Sequence, residues 1–308
     1  MKDGFVYPNG SRKAISFTID DGNVPMDRRF LEIVKPHGIK GTFNLCSHIM
    51  HHLTPEGYRE FYRGYEIANH SKEHPSLLRE EWIRPVSDEP FDSVTADKNM
   101  MYRKKGCPGL YHYHFERGWR LVADEETYIE LVRVCTPELE EIFGKGSVSA
   151  FVWPNGDQKN ERVLDQIKKM GFKSIRKTGR VEDSTHFALP ADRSAWSYNA
   201  DTTNLYSCAE KFRAEEDDGN LKFFSFGVHS VDFERDGKWQ ELESFARDFG
   251  DRPDEFWYAT VGEIFDYEDA TKKCYIENGS LCNGSDREIY FVHNGKVRKL
   301  SVNESVVL

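Results

Sequence analysis

Residues 13–22 read KAISFTIDDG. Ala14, Ile15, Phe17 and Ile19 make a short apolar run that ends in two adjacent carboxylates, Asp20 and Asp21, and a glycine. A run this short, bounded by a turn signal, reads as a buried strand. Gly22 permits a sharp exit turn. The same plan recurs along the chain. Residues 14–19, 41–45, 65–69, 148–153, 172–175, 223–228 and 256–259 read as strands. Residues 28–35, 55–63, 125–143, 159–170, 202–214 and 239–249 read as helices between them. Pro137 is expected to break or restart the longest helix, and Gly171 to end the fourth. Strand–helix alternation of this kind predicts an α/β fold, a parallel sheet with helices outside it. About seven strands suit either a closed (β/α) barrel or an open doubly wound sheet. No GxGxxG follows the first strand, which weighs against a dinucleotide-binding sheet.

Two regions depart from this plan. Residues 79–124 form a long irregular insertion rich in aromatic, His and Arg side chains, and a loop of that length in a compact domain is usually functional or mobile. Its His112, His114 and Trp119 could lid a site or pack on the barrel rim. From about residue 273 the pattern changes to short β-type runs joined by Asn294-Gly295, a hairpin signal. The expected division is therefore a barrel over 1–272 and a small β-hairpin appendage over 273–308.

The 308 residues carry 42 Lys and Arg against 52 Asp and Glu, a formal charge of −10. That balance argues against nucleic acid as a partner, since phosphates call for a basic face. No run approaches the ~20 apolar residues that span a bilayer, so no membrane partner is expected. No secretory h-region follows Met1, so the expected location is the cytoplasm, with secretion as the alternative if a leader has been trimmed. The six cysteines form no CxxC and are expected to be free thiols.

Four segments hold residues able to do chemistry, each at the end of a strand. Asp20-Asp21-Gly22 places two neighbouring carboxylates on opposite sides of a strand, although alone such a triplet is most often a surface turn. His70 and His74 follow the third strand at i, i+4. If the chain turns helically there, both imidazoles lie on one side, and with one Asp they would form a facial metal site with open positions. Trp153-Pro154-Asn155-Gly156 is a turn that can aim a backbone N–H into a cleft. His229 ends a late apolar strand. All four fall at carboxyl ends of strands, where parallel α/β folds gather active sites.

Together these segments resemble the polysaccharide deacetylases of carbohydrate esterase family 4, the NodB-homology family. FTIDDG (17–22) is similar to its TFDDG motif, GYEIANHSKEHP (64–75) to its H-[ST]-x-x-H motif, and WPNG (153–156) to its RxPYG motif; His229 stands where its last motif has histidine. FGVHSVDFERDGKW and WYATVGEIFDY further resemble a bacterial subgroup of the family. The resemblance spans about residues 13–270 and implies a distorted (β/α) barrel of about seven strands. It also implies roles: Asp21, His70 and His74 as ligands of a divalent metal, zinc first with cobalt, nickel or manganese as alternatives; Asp20 as general base; the backbone N–H of Asn155 on the oxyanion; His229 as general acid. The implied activity is removal of acetyl groups, N-acetyl before O-acetyl, from a saccharide. Trp153, Pro154 and Trp196 are candidates for substrate contact, with the core as the alternative for the indoles.

The departures are specific. Val152 stands where the family has the arginine that pairs with the base, so Arg176, Arg180 or no residue takes that part. Ala195 stands where the fourth motif has the aspartate that tunes the histidine, leaving Asp192 as a weak candidate. These gaps keep two alternatives open, an allantoinase-like amidohydrolase on a small amide and a catalytically impaired carbohydrate-binding homologue. An iron oxygenase with two His and one carboxylate ranks last, since it leaves Asp20 unexplained. The sugar, the linkage and the oligomeric state are not legible.

Overall fold

A computed structural model describes residues 2–115 and 118–308; Met1 and residues 116 and 117, inside the insertion, lie outside the described residues. Eight parallel strands form the central sheet: β1 (Lys13–Asp21), β2 (Gly41–Leu45), β3 (Glu66–Asn69), β4 (Val148–Val152), β5 (Ser174–Arg180), β6 (Trp196–Tyr198), β7 (Lys222–His229) and the short β8 (Trp257–Tyr258). Their order is β6-β5-β4-β3-β2-β1-β7, and β8 pairs with Ala14 and Ile15, ahead of the stretch of β1 that pairs with β2. The two edges meet at one parallel bridge, Ala200 to Phe226. There the Asn199 N–H donates to Ser225 O (2.8 Å) and the Gly227 N–H to Ala200 O (2.9 Å). The sheet thus curls into a distorted (β/α) barrel whose edges touch at this thin seam. A Cβ at Gly227 would overlap the Tyr198 ring, so the seam needs a residue without a side chain.

Helices α1 (Val24–Val34), α2 (Pro55–Phe61), α3 (Glu125–Phe143), α4 (Glu161–Lys169), α5 (Leu205–Ala214), α6 (Ser230–Arg235), α7 (Trp239–Phe249) and α8 (Val261–Thr271) accompany the strands. Residues 14–19 of β1 are all buried, as expected of a strand covered on both faces. Phe17, Phe30, Phe43, Phe224, Phe226 and Phe245 are fully buried in one cluster between the sheet and its helices.

Several elements differ from the sequence reading. Helix α1 starts four residues early, because Asn23 caps it by accepting from Met26 N (3.3 Å) and Pro25 suits a first turn. Helix α3 runs unbroken through Pro137; its face of Leu131, Val132, Cys135 and Leu139 is buried, and that packing holds the helix across the lost bond. Strand β5 begins at Ser174 and runs on to Arg180, through polar residues with no strand pattern. Strand β6 and helices α6 and α8 were unforeseen, although Thr260 and Glu263 form a capping box at the start of α8.

The insertion is a small sheet of its own. Its strands run in the spatial order Ser76–Leu77, Gly118–Ala123, Leu110–His114, Met101–Arg103, Val86–Ser87. Phe91, Tyr102, Tyr111, Tyr113 and Trp119 pack ring against ring over it. The chain after α8 forms two three-stranded sheets, one of which recruits Gly4–Val6 from the other end of the chain. Asn294 and Gly295 both have positive φ (52° and 71°), as their hairpin turn requires. The six cysteines are free thiols. No described helix is long and apolar enough to cross a membrane.

Candidate active site

The carboxyl ends of β1, β3, β4 and β7 converge. Strand register places Asp20 opposite Asn44 of β2 on one side and His229 of β7 on the other. Asn44 Nδ2 donates to Asp20 Oδ1 (2.6 Å) and to Thr18 Oγ1 (2.7 Å). Arg176 Nη2 donates to the same Asp20 oxygen. Arg176 sits on β5 directly across from Val152 on β4 and is 1% exposed. The guanidinium missing at position 152 therefore reaches the carboxylate from the neighbouring strand. Arg180 points elsewhere, to Asp201 (3.2 Å). Burial pushes the Asp20 carboxyl up, but the charges of Arg176, His70 and His229 outweigh it, so Asp20 lies below the ordinary range and is ionised.

Asp21 takes the other side of β1. Its Oδ1 lies 3.4 Å from His70 Nε2 and 3.4 Å from His74 Nε2. The three ligand atoms lie within 4.8 Å of one another. Each is buried without a hydrogen-bond partner, a costly state for three polar atoms unless a cation is shared among them. His70 Nδ1 faces Val152 O at 3.0 Å, which fixes the ring with its Nε2 lone pair inward. Burial and the neighbouring His70 pull His74 down to about 4 against the pull of Asp21, so its ring is neutral, as a ligand must be. The same contacts with His70 and His74 hold Asp21 far below the usual carboxylate range, against the opposing effect of burial. The residues fit a divalent metal.

The two histidines do not meet through a helical turn. No helix follows His70; Ser71 and His74 have positive φ (67° and 51°), as does Asp21 (76°). Among the described residues, the four other non-glycine residues with positive φ are Asp or Asn, which tolerate that region. Ser71 and His74 do so less readily, at a cost of about 1–3 kcal/mol each.

His229 closes the third side, with Nε2 3.8 Å from Asp21 Oδ2. Asp232 Oδ2 accepts from the His229 backbone N–H (2.9 Å) and faces its Nδ1 (2.9 Å). Arg235 Nη1 donates to the other Asp232 oxygen (2.7 Å). Burial lowers His229, but the bond to Asp232 and the charges of Asp20 and Asp21 raise it to about 9. Asp192 has no part here; it accepts from Ser194 N (2.8 Å) and Ser194 Oγ (2.6 Å) in a local turn. The sequence reading missed Asp232 and Asn44. The i, i+3 spacing in His229-Ser230-Val231-Asp232 is the signal that could have found the first.

Asn155 sits on the turn after β4, its Nδ2 donating to Pro75 O (3.1 Å) and lying 3.5 Å from His74 Nδ1. Trp153 and Trp196 are corrections. Trp153 is 1% exposed, packed on Tyr128 and Phe151, and Trp196 is 4% exposed against Phe223 and Phe265. Neither indole offers a sugar a face to stack on. Pro154 is buried as well. The open wall of the site comes from the insertion: a cavity of about 320 Å³ is lined by Asp21, His48, Glu73, His74, Trp119 and Arg120, among others.

Comparison with known proteins agrees with this architecture. Residues 7–175, more than half of the chain, match the family model described as polysaccharide deacetylase. A Mycobacterium smegmatis protein described as a polysaccharide deacetylase is similar in structure, with TM-score 0.51 and 18% identity over 88% of this chain and 96% of that one. The Xyl-CE4 domain of a multidomain xylanase from the hindgut metagenome of Trinervitermes trinervoides gives 0.47 and 14% over 84% and 92%. Peptidoglycan deacetylase PdaC from Bacillus subtilis gives 0.46 and 15% over 85% and 95%. No curated protein matched the sequence. At 18% identity the likeness to the Mycobacterium smegmatis protein is one of fold, and membership rests on the family match: the chain belongs to the polysaccharide deacetylase family.

Proposed function

We propose that the protein is a metal-dependent hydrolase that removes acetyl groups from a saccharide, with N-acetyl groups as the first choice and O-acetyl as the second. The observation that carries this reading is the set of three orphaned, buried atoms, Asp21 Oδ1, His70 Nε2 and His74 Nε2, beside a carboxylate and an imidazole that each have a fixed partner. Two imidazole nitrogens and one carboxylate suit zinc with open positions; cobalt, nickel and manganese are the alternatives. A bound divalent metal supplies Lewis-acid polarisation of the acyl carbonyl and a more acidic water.

The chain's own residues do the rest. Asp20, kept ionised by Arg176 and oriented by Asn44, accepts the proton of the attacking water. The Asn155 backbone N–H donates to the developing oxyanion in this reading. His229, held protonated by Asp232, gives its proton to the departing amine nitrogen or sugar oxygen. The products are acetate and a free amine or hydroxyl. The case for an impaired homologue drew on Val152 and Ala195, and Arg176 and Asp232 supply both missing groups from other positions.

The test joins metal analysis to acetate release on acetylated chito-oligomers, peptidoglycan fragments, acetylxylan and small ureides. We expect about one divalent metal per chain. Asp20→Asn should keep that metal while lowering turnover by about 10²–10⁴. A metal-free protein purified without chelator, or an Asp20→Asn variant as fast as wild type, would overturn the proposal. Turnover of the ureides alone would favour the allantoinase-like alternative.

A further inference from the structure

The insertion contributes more than a wall. Beside the candidate metal centre it encloses a second, smaller cavity of about 160 Å³, lined by Arg79, Trp82, His112, His114, Arg120 and Asn155, among others. The Arg79 guanidinium lies 4.5 Å over the Trp82 ring, and Trp82 stacks on His112 at 5.5 Å with an interplanar angle of 13°. Arginine, indole and imidazole thus form a three-layer wall. His112 is 5% exposed, and its buried Nδ1 has no hydrogen-bond partner. Arg120 has no ion pair among the described residues and lines both this cavity and the one holding Asp21 and His74. Asn155 joins the two from the other side, 3.5 Å from His74.

Arg79 is paired with Asp157 at 3.7 Å, through the oxygen that the Leu77 N–H leaves free. Among the described residues the Arg120 charge has no such partner. Glu73 faces the catalytic cavity rather than this one. Two guanidinium groups line one small cavity, and only one of them has an ion pair among the described residues, which leaves a positive charge that an anion would offset. Their planar forks match the oxygens of a carboxylate or phosphate. The aromatic layer offers an apolar face for the ring that carries such a group.

We propose that this cavity is an oxyanion-binding subsite, and that the saccharide taken by the enzyme carries a carboxylate or phosphate group next to the acetylated sugar. The proposal deepens the deacetylase reading and rests on it for the acetylated sugar; the anion subsite itself rests on the cavity.

Calorimetric titration of the full, zinc-loaded chain tests it with three acetylated oligosaccharides of equal length, one neutral, one bearing a carboxylate and one bearing a phosphate. The expected result is that one anionic ligand binds at least tenfold more tightly than the neutral one, and the two anionic arms tell carboxylate from phosphate. Arg120→Ala should reduce that preference at least threefold, and Arg79→Ala/Arg120→Ala should abolish it. Arg120 is exposed and has no ion pair among the described residues, so its single variant reports even if the double variant folds poorly. Equal affinity for all three ligands, or a preference that Arg120→Ala leaves unchanged, overturns the subsite. If no substrate releases acetate while the preference stands, the deacetylase reading fails and the subsite remains.

Discussion

Two pairs of residues set the protonation states in the site. Asp20 is half-buried, and it is ionised because the buried Arg176 faces it. Removing one partner of a buried pair strands the other charge, at a cost of about 3–5 kcal/mol. Arg176→Ala is therefore expected to lower stability on that scale. It should also raise the Asp20 pKa, moving the acid limb of the pH–rate profile upward, which urea unfolding and kcat against pH would show. His229 is the opposite case. Its folded pKa, about 9, exceeds the ordinary histidine value. The stability it contributes is thus fully present below about 6.5 and is lost as pH rises through about 9. Asp232→Asn should move the alkaline limb of kcat/KM down by about one unit or more. The difference in Tm between wild type and variant should be widest below about pH 6.5 and close above 9. A cation on Asp21 offsets part of that residue's pull on His229, so the metal-loaded limb is expected below 9.

At the level of elements, the seam between β6 and β7 is the thinnest part of the barrel. Gly227 leaves room for Tyr198, and the Tyr198 ring lies 5.1 Å from the Arg176 guanidinium. Gly227→Ala should cost about 1–3 kcal/mol through overpacking and lower kcat as well, because the displaced ring pushes on the arginine that holds Asp20. Chemical denaturation and acetate release measure the two effects. This seam also shows where sequence reading stops. Strands β1 to β4 and β7 announce themselves as short, largely buried runs bounded by turn signals, and the carboxyl ends of β1, β3, β4 and β7 carry the motifs. Strand β6 is three residues of Trp-Ser-Tyr with no period. Arg176 lies in a polar extension of β5, and its role depends on which strand lies beside β4. Pairing order is a long-range fact with no local signature, so Arg176 could be named as one option and not selected. Asp232 was hidden for a different reason: it belongs to a six-residue helix too short to show a pattern.

Across the whole molecule the charge is −10, yet arginines gather at the mouth of the site. A metal held by groups from β1 and the turn after β3 would tie these segments together in the folded state only, and a ligand at 100 times its Kd adds about 2.7 kcal/mol. Chelation should therefore lower Tm by several degrees, and added zinc should restore it, as read by calorimetry. The strained backbone at Ser71 and His74 should relax in the chelated protein, seen as faster amide exchange there than in the distant C-terminal sheets. Finally, Val152 and Arg176 face each other across two parallel strands, about 4.8 Å apart, a gap an arginine side chain spans easily. In a barrel of parallel strands the reactive point belongs to a place in space and not to one column of an alignment. A survey that demands arginine two residues before Pro154 would file this chain among inactive relatives. One that asks which side chain reaches Asp20 would keep it, along with any cousin that has made the same exchange.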